Sequence, residues 1–292
     1  MKKTKSESVF QVFDVILMFL LSLIFLVPFL TVLSSSFVGE AEISRRGSFI
    51  LIPEVFDLSG YKVLLGSNSI IYHAYMITLF VTVVGTFLNL LFTSTLAYGL
   101  SKRDMPFRNA ITIIVFITML VSGGLIPSFL LVKYIGLYNN VWALIVPGLI
   151  SVWNMILLRN FFMQIPESLE ESAILDGATP IQILIKIIIP LSVPAIATIG
   201  LFYAVAHWND WYDAFIYITD SQKLPVQNIM RNIVIGASIA DLGNEGMSDS
   251  VKPPTETIKS AVIIISTLPI LCVYPFIQKY FVKGIMVGSV KG

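Results

Sequence analysis

Charge is scarce in this chain. Only 13% of its 292 residues are charged, where a soluble domain carries about a quarter. The 19 basic and 18 acidic side chains nearly cancel, leaving a net charge of +1, which excludes nucleic acid and other strongly electrostatic partners. One cysteine, Cys272, stands in an apolar run, so neither a disulfide framework nor a cysteine metal cluster is available, and it reads as a small apolar filler. The two histidines, His73 and His207, support no catalytic triad, and neither HExxH nor a nucleophile elbow occurs. No Gly-Lys dipeptide exists anywhere, so the chain has no Walker A loop to cradle ATP phosphates. These absences predict no catalytic residue, no metal site and no cofactor on this chain.

Long apolar runs are what the chain has instead, with 56% hydrophobic residues and a mean hydropathy of +0.84. Crossing the hydrocarbon core as a helix takes about 20 apolar residues. Six stretches qualify: 10–36, 70–100, 109–132, 140–163, 192–218 and 259–282. The first follows Lys2, Lys3 and Lys5, but its run is longer than a signal-peptide core and no A-x-A site follows, so it reads as a retained span. With both termini in the cytoplasm, eleven basic residues fall inside and eight outside. The tight SKRDMPFR turn at 101–108 is the strongest single vote for that orientation, because short loops beside spans set topology.

The sequence therefore predicts an all-α membrane protein of six transmembrane helices. Residues 1–69 give the first helix and an outer loop. Residues 70–282 give a five-helix core with a cytoplasmic loop at 165–192 and an outer loop at 219–258, and residues 283–292 form a cytoplasmic tail. The third span contains VSGGLIP, where Gly123, Gly124 and Pro127 either break the helix against a cavity or permit close helix packing.

The cytoplasmic stretch EESAILDGATPIQILIKIIIP, 170–190, is punctuated twice. Pro166 suits a first helical position, and Glu167, Glu170 and Glu171 favour the positive end of the helix dipole. Gly177 can take the left-handed conformation that ends a helix. Thr179, Pro180 and Gln182 then read as an N-cap, a first-turn proline and a capping-box partner. The result is helix, glycine corner, helix. The second helix is apolar on nearly every side, so something must cover it: the base of its own bundle, a partner protein, or the interface in a re-entrant hairpin.

The spacing Glu171-Ser172-Ala173, three residues, Gly177, nine residues, Ile187 and Pro190 resembles the EAA loop of ATP-binding-cassette importer permeases. Ser172 replaces the usual central alanine and Ile189 a leucine. SGGLIPSFLLVKYIGLYNNVWALIVPG and the terminal KYFVKGIMVGSVKG resemble the maltose-type carbohydrate-uptake branch, and within it the permeases for complex or acidic oligosaccharides. That resemblance implies a type I importer permease in the bacterial cytoplasmic membrane, forming half of a pathway with a homologous sister permease. It implies two cytoplasmic ATPase subunits that bind ATP and Mg, and an extracellular solute-binding protein that delivers an oligosaccharide. Lipid is the remaining partner. Glu171, Ser172, Ala173, Asp176, Gly177, Ile187 and Pro190 would couple to the ATPase. Gly288, Lys291 and Gly292 of the tail would enter the ATPase interface, unless the tail is simply a frayed end.

Span five carries HWNDWYD, residues 207–213. Trp208, Asn209, Asp210, Trp211, Tyr212 and Asp213 are candidate pathway residues, since aromatic faces stack on sugar rings and carboxylates accept hydroxyls. The competing reading is an interfacial aromatic belt with both aspartates in outer water. Asn89 in span two reads as interhelical hydrogen-bond glue. An ion-coupled secondary carrier or channel subunit is the alternative function, although the matching second half expected of such carriers is not found.

Overall fold

A computed structural model describes the backbone of residues 5–66, 70–242 and 256–289, and the side chains of 10–66, 70–236 and 256–273. Every regular element among the described residues is helical. In chain order these are α1 (Lys5–Ser35), α2 (Glu40–Arg46), α3 (Ser59–Leu64), α4 (Ile70–Ser101), α5 (Arg108–Leu120), α6 (Leu125–Tyr134), α7 (Val152–Phe162), α8 (Glu167–Leu175), α9 (Pro180–Ile183), α10 (Ile189–Leu191), α11 (Val193–Asn209), α12 (Tyr212–Tyr217), α13 (Val226–Leu242) and α14 (Glu256–Ser289). The chain divides into two compact units: Met1–Ile71 with Met230–Leu268, and Tyr72–Ile229 with Pro269–Gly292.

In the first unit, the polar segment after α1 is tied down by named bonds. Ser36 Oγ lies 2.8 Å from the Tyr61 hydroxyl, and Thr257 Oγ1 donates to Val38 O at 2.6 Å. Gly60 permits the approach of α3 to α14, because a Cβ there would stand 3.1 Å from Thr257 Cγ2. On α2, Glu42 accepts from the Glu54 backbone N–H at 3.0 Å and from Arg46 at 2.6 Å. The Glu54 N–H bond, with Arg46 adding to it, holds the Glu42 carboxyl below the usual glutamate range.

The second unit carries the core. Ala97, Tyr98 and Leu100 of α4 pack with Met155, Leu158 and Phe162 of α7 and with Ile183, Leu184 and Ile188 of the segment after Gly177. The bundle itself thus covers one side of the apolar second helix.

Among the described residues three helical segments are long and apolar enough to cross a membrane: Phe10–Ser35, Ile70–Ser101 and Glu256–Val273. They correspond to the first, second and sixth expected spans. The third is broken: α5 and α6 meet at 114°, with Gly124 at φ +88° immediately before α6. Of the two roles open to the Gly pair, the helix break is the one realised. The fifth span, α11, follows the α9–α10 segment across an 88° bend.

The fourth span is not one helix. Val141–Leu144 form a 3₁₀ turn, residues 145–151 are non-helical, and only Val152–Phe162 are α-helical. Pro147 and Gly148 break the ladder and leave backbone carbonyls to find other partners. Asn89, fully buried on α4, supplies them: its Nδ2 donates to Gly148 O at 2.7 Å and to Leu149 O at 2.9 Å. Tyr203 of α11 contributes as well, its hydroxyl accepting from Ser151 N at 2.9 Å while sharing a 2.7 Å bond with Thr93 Oγ1. The stretch 219–258, expected as an outer loop, holds more order than a loop, since α13 occupies Val226–Leu242.

Candidate coupling and translocation sites

The hairpin at 166–191 is built by local chemistry. Pro166 is the N-cap rather than the first helical residue, at φ −58°, ψ 128°, and α8 starts at Glu167. At its other end Asp176 is the C-cap and Gly177 has φ +81°. Ala178 N–H donates to Ala173 O and Gly177 N–H to Ile174 O, both at 2.9 Å, the 6→1 and 5→2 pair of a Schellman ending. A Cβ on Gly177 would meet nothing within 4 Å, so the glycine is required for its backbone angle rather than for space within this chain. The capping box is present: Thr179 N–H donates to Gln182 Oε1 at 2.8 Å, and Gln182 N–H to Thr179 Oγ1 at 3.4 Å.

The second helix differs from a plain α-helix. After Pro180–Ile183 it widens into a π turn at Leu184–Ile188 and returns to α geometry at Ile189–Leu191, around Pro190. Proline removes a backbone donor and crowds the preceding turn, and a π turn is one way a helix relieves such a break. Ile187 and Ala173 pack partly buried against the core, whereas Ser172, Asp176, Gly177 and Pro190 are exposed. Leu175 at 88% and Ile181 at 70% accessibility form an apolar tip on either side of the Gly177 corner.

Two adjacent glutamates have different roles. Glu170 forms an ion pair with Lys102 at the end of α4 and accepts from the Tyr98 hydroxyl at 3.3 Å. Lys102 Nζ in turn lies 4.2 Å from the centre of the Tyr98 ring. Glu167 pairs with Arg103 at 3.3 Å. Glu171 is exposed and has no side-chain bond among the described residues. The sequence reading treated Glu170 only as a helix-dipole residue; the basic pair in SKRD, opposite a glutamate-rich first turn, is the signal that marks it.

Residues 207–213 are not one helical face. Helix α11 ends at Asn209, whose Nδ2 donates back to Val205 O at 2.9 Å. Asp210 is extended at φ −72°, ψ 114°, and its Oδ1 accepts from Tyr212 N at 3.0 Å and Asp213 N at 3.2 Å. It thus caps the start of α12, which is what an aspartate does at a helix N-terminus. Trp208 is buried within the chain, its ring centroid 6.2 Å from that of Tyr75. Trp211 and Tyr212 are exposed at 38% and 47%, their rings edge to face at 5.7 Å. Asp213 is half-buried beside them. His207 Nε2 bonds Asn89 Oδ1 at 2.7 Å, against Gly85, where a Cβ would come within 2.6 Å of the imidazole. Of the tail residues, Gly288 lies near the end of α14, while Lys291 and Gly292 lie outside the described residues.

Residues 92–287 match the family described as the binding-protein-dependent transport system inner membrane component. The chain belongs to this family. It is 47% identical over 281 residues to the polygalacturonan/rhamnogalacturonan transport system permease protein YtcP of Bacillus subtilis (strain 168), covering 96% of this chain and 97% of the relative. Protein LplC of the same organism is 44% identical over 292 residues, covering 100% and 98%. Among solved structures, a bacterial ABC transporter involved in the import of the acidic polysaccharide alginate superposes with a TM-score of 0.85 at 30% identity, covering 96% of this chain and 99% of that one. This member of the family is a membrane-embedded permease subunit of an ATP-binding-cassette importer and is not itself an enzyme.

Proposed function

We propose that this permease subunit carries oligosaccharides inward across the bacterial cytoplasmic membrane, with both termini in the cytoplasm. Acidic oligosaccharides are the substrate class we assign to it, a reading supported by the polygalacturonan/rhamnogalacturonan permease at 47% identity and by the importer of the acidic polysaccharide alginate. A homologous sister permease supplies the other half of the pathway, an extracellular solute-binding protein delivers the sugar, and two ATPase subunits bind ATP and Mg. The observation that carries the coupling assignment is the hairpin: its apolar tip at Leu175 and Ile181 is exposed, while its inner side packs into the bundle. A short body capped at both ends moves without fraying, so it passes a displacement at its tip to α4 and α7. In the pathway, Trp211 and Tyr212 offer exposed aromatic faces for sugar C–H groups, and Asp213 stands beside them for hydroxyls. Trp208, Asn209 and Asp210 shape that corner from behind.

Reconstitution with all partners tests the reading. Uptake of labelled oligogalacturonide should depend on ATP and on the binding protein, and Trp211→Ala should reduce it more than Trp208→Phe. Uptake that persists without any ATPase subunit would refute it. Cysteines placed at Ser221 and Gln164 test orientation: an impermeant reagent should label the first from outside and spare the second.

A further inference from the structure

We propose that the adjoining ends of α4, α5 and α7 form a binding site for a phosphate group, of the kind carried by an anionic phospholipid headgroup. Leu100 O, fully buried in the last turn of α4, accepts from Arg108 Nε at 3.0 Å and from Arg159 Nε at 2.8 Å. Two guanidiniums on one oxygen have their Nε atoms within about 6 Å of each other, and like charges at that distance repel. Among the described residues neither has a carboxylate within 4.0 Å, although the neighbouring cations do: Lys102 pairs with Glu170 and Arg103 with Glu167. Among the described residues the one further side-chain hydrogen bond of the pair runs from Arg108 Nη2 to Met163 Sδ at 3.6 Å, a weak acceptor that carries no charge. The outer N–H groups of two arginines are thus held together without a counter-ion.

The surroundings fit an oxyanion at the membrane boundary. Arg108 is the first residue of the 13-residue helix α5; its own N–H donates to Met105 O at 3.3 Å, and the Phe107 N-cap contributes no side-chain hydrogen bond, so the remaining N–H groups of the first turn add positive potential. Along the same helix Ile113, Ile114 and Ile117 are exposed at 59%, 63% and 48%, and Phe107 at 81%. With that apolar face in hydrocarbon, Arg108 stands at helix-end depth, where headgroup phosphates lie. Guanidinium groups bind phosphate oxygens in pairs, and basic pockets between membrane helices hold lipid headgroups. The Leu100 carbonyl orients both arginines, and the phosphate neutralises them. The inference rests on membrane embedding and not on the identity of the sugar.

The assembled complex, in neutral nanodiscs doped with phosphatidylglycerol, is delipidated stepwise and the retained lipid is counted by native mass spectrometry. The complex should keep phosphatidylglycerol in preference to phosphatidylcholine, and each arginine replaced in Arg108→Gln and Arg159→Gln should lower that preference about fivefold. Arg108→Lys, which keeps the charge, should retain most of it. A second arm uses the unmodified complex alone and follows protection of Arg108 and Arg159 from an arginine-specific dicarbonyl. Protection by the doped lipid supports a headgroup as the source; protection by inorganic phosphate alone, in neutral nanodiscs, assigns the site to the free ion. Equal retention of both lipids together with no protection by either source would overturn the proposal, as would an undiminished lipid preference in the doubly substituted complex.

Discussion

Glu170 on α8 and Lys102 at the end of α4 form an ion pair that rests against the ring of Tyr98. The pair joins the first half of α8, away from the Leu175 tip, to the end of α4, and under the proposed coupling role it would carry displacement of the hairpin to that helix.

Breaking this pair should loosen coupling more than assembly. A partly exposed ion pair contributes about 1 kcal/mol or less, too little to prevent folding. Glu170→Gln and Lys102→Gln are each expected to lower sugar uptake per ATP hydrolysed, measured together in proteoliposomes. The exchanged pair Glu170→Lys with Lys102→Glu should recover part of the loss. Equal ratios in all four proteins would remove the pair from the coupling route.

At Gly177 the order of tolerance should follow backbone preference and not side-chain size, since the site has room for a Cβ. Asparagine enters the left-handed region readily, alanine at a cost of roughly 1–2 kcal/mol, and a β-branched residue less readily still. Uptake should therefore fall in the order Gly177→Asn, Gly177→Ala, Gly177→Val, with membrane insertion intact in each. A ranking by volume, with Gly177→Asn worse than Gly177→Ala, would instead indicate a close partner surface at the corner.

Asn89→Leu should destabilise the permease strongly. It removes the donor for two carbonyls, Gly148 O and Leu149 O, and the partner of His207. A polar group left unsatisfied away from water costs about 1–3 kcal/mol, and the part-buried carbonyls and His207 all lose their partner, so a drop in thermal stability in nanodiscs is expected. Asn89→Gln, which keeps the amide one methylene further out, should fall between the two.

The segment from α2 to α3 should respond to acid. The Glu42 carboxyl titrates below its ordinary value when folded, chiefly because the Glu54 N–H bonds its charged form. Its stabilising contribution is therefore complete above the unfolded glutamate value of about 4.3 and is lost as pH falls through the lower folded value. Protection of the amides of residues 40–57, relative to their intrinsic exchange rate, should fall on that descent, and Glu42→Gln should reduce that loss of protection.

The hairpin was legible because its chemistry is local: Thr179 and Gln182 are three residues apart, and Gly177 is followed by a helix start. The apolar runs were legible for a similar reason, since composition alone reports a chain built for hydrocarbon. In HWNDWYD the spacing fits a continuous helix and gives no sign that α11 ends at Asn209, where Asp210 accepts from Tyr212 N and Asp213 N. The fourth span misled because continuous apolar composition does not reveal that Pro147 and Gly148 open the backbone.

The sequence by itself determined the membrane class, the capped hairpin with its left-handed corner, and the absence of any ATP-binding loop, because each follows from side-chain chemistry within a few neighbouring residues. Tertiary structure alone decided which groups meet across the chain. It selected Glu170 over Glu171 as the bond to α4, since the rotation of α8 is set by packing. It brought Asn89 to carbonyls about 60 residues away, and set Arg108 and Arg159 on one oxygen. Those pairings depend on helix rotation, bend angle and depth, which arise from the burial of the whole bundle and leave no mark in local spacing.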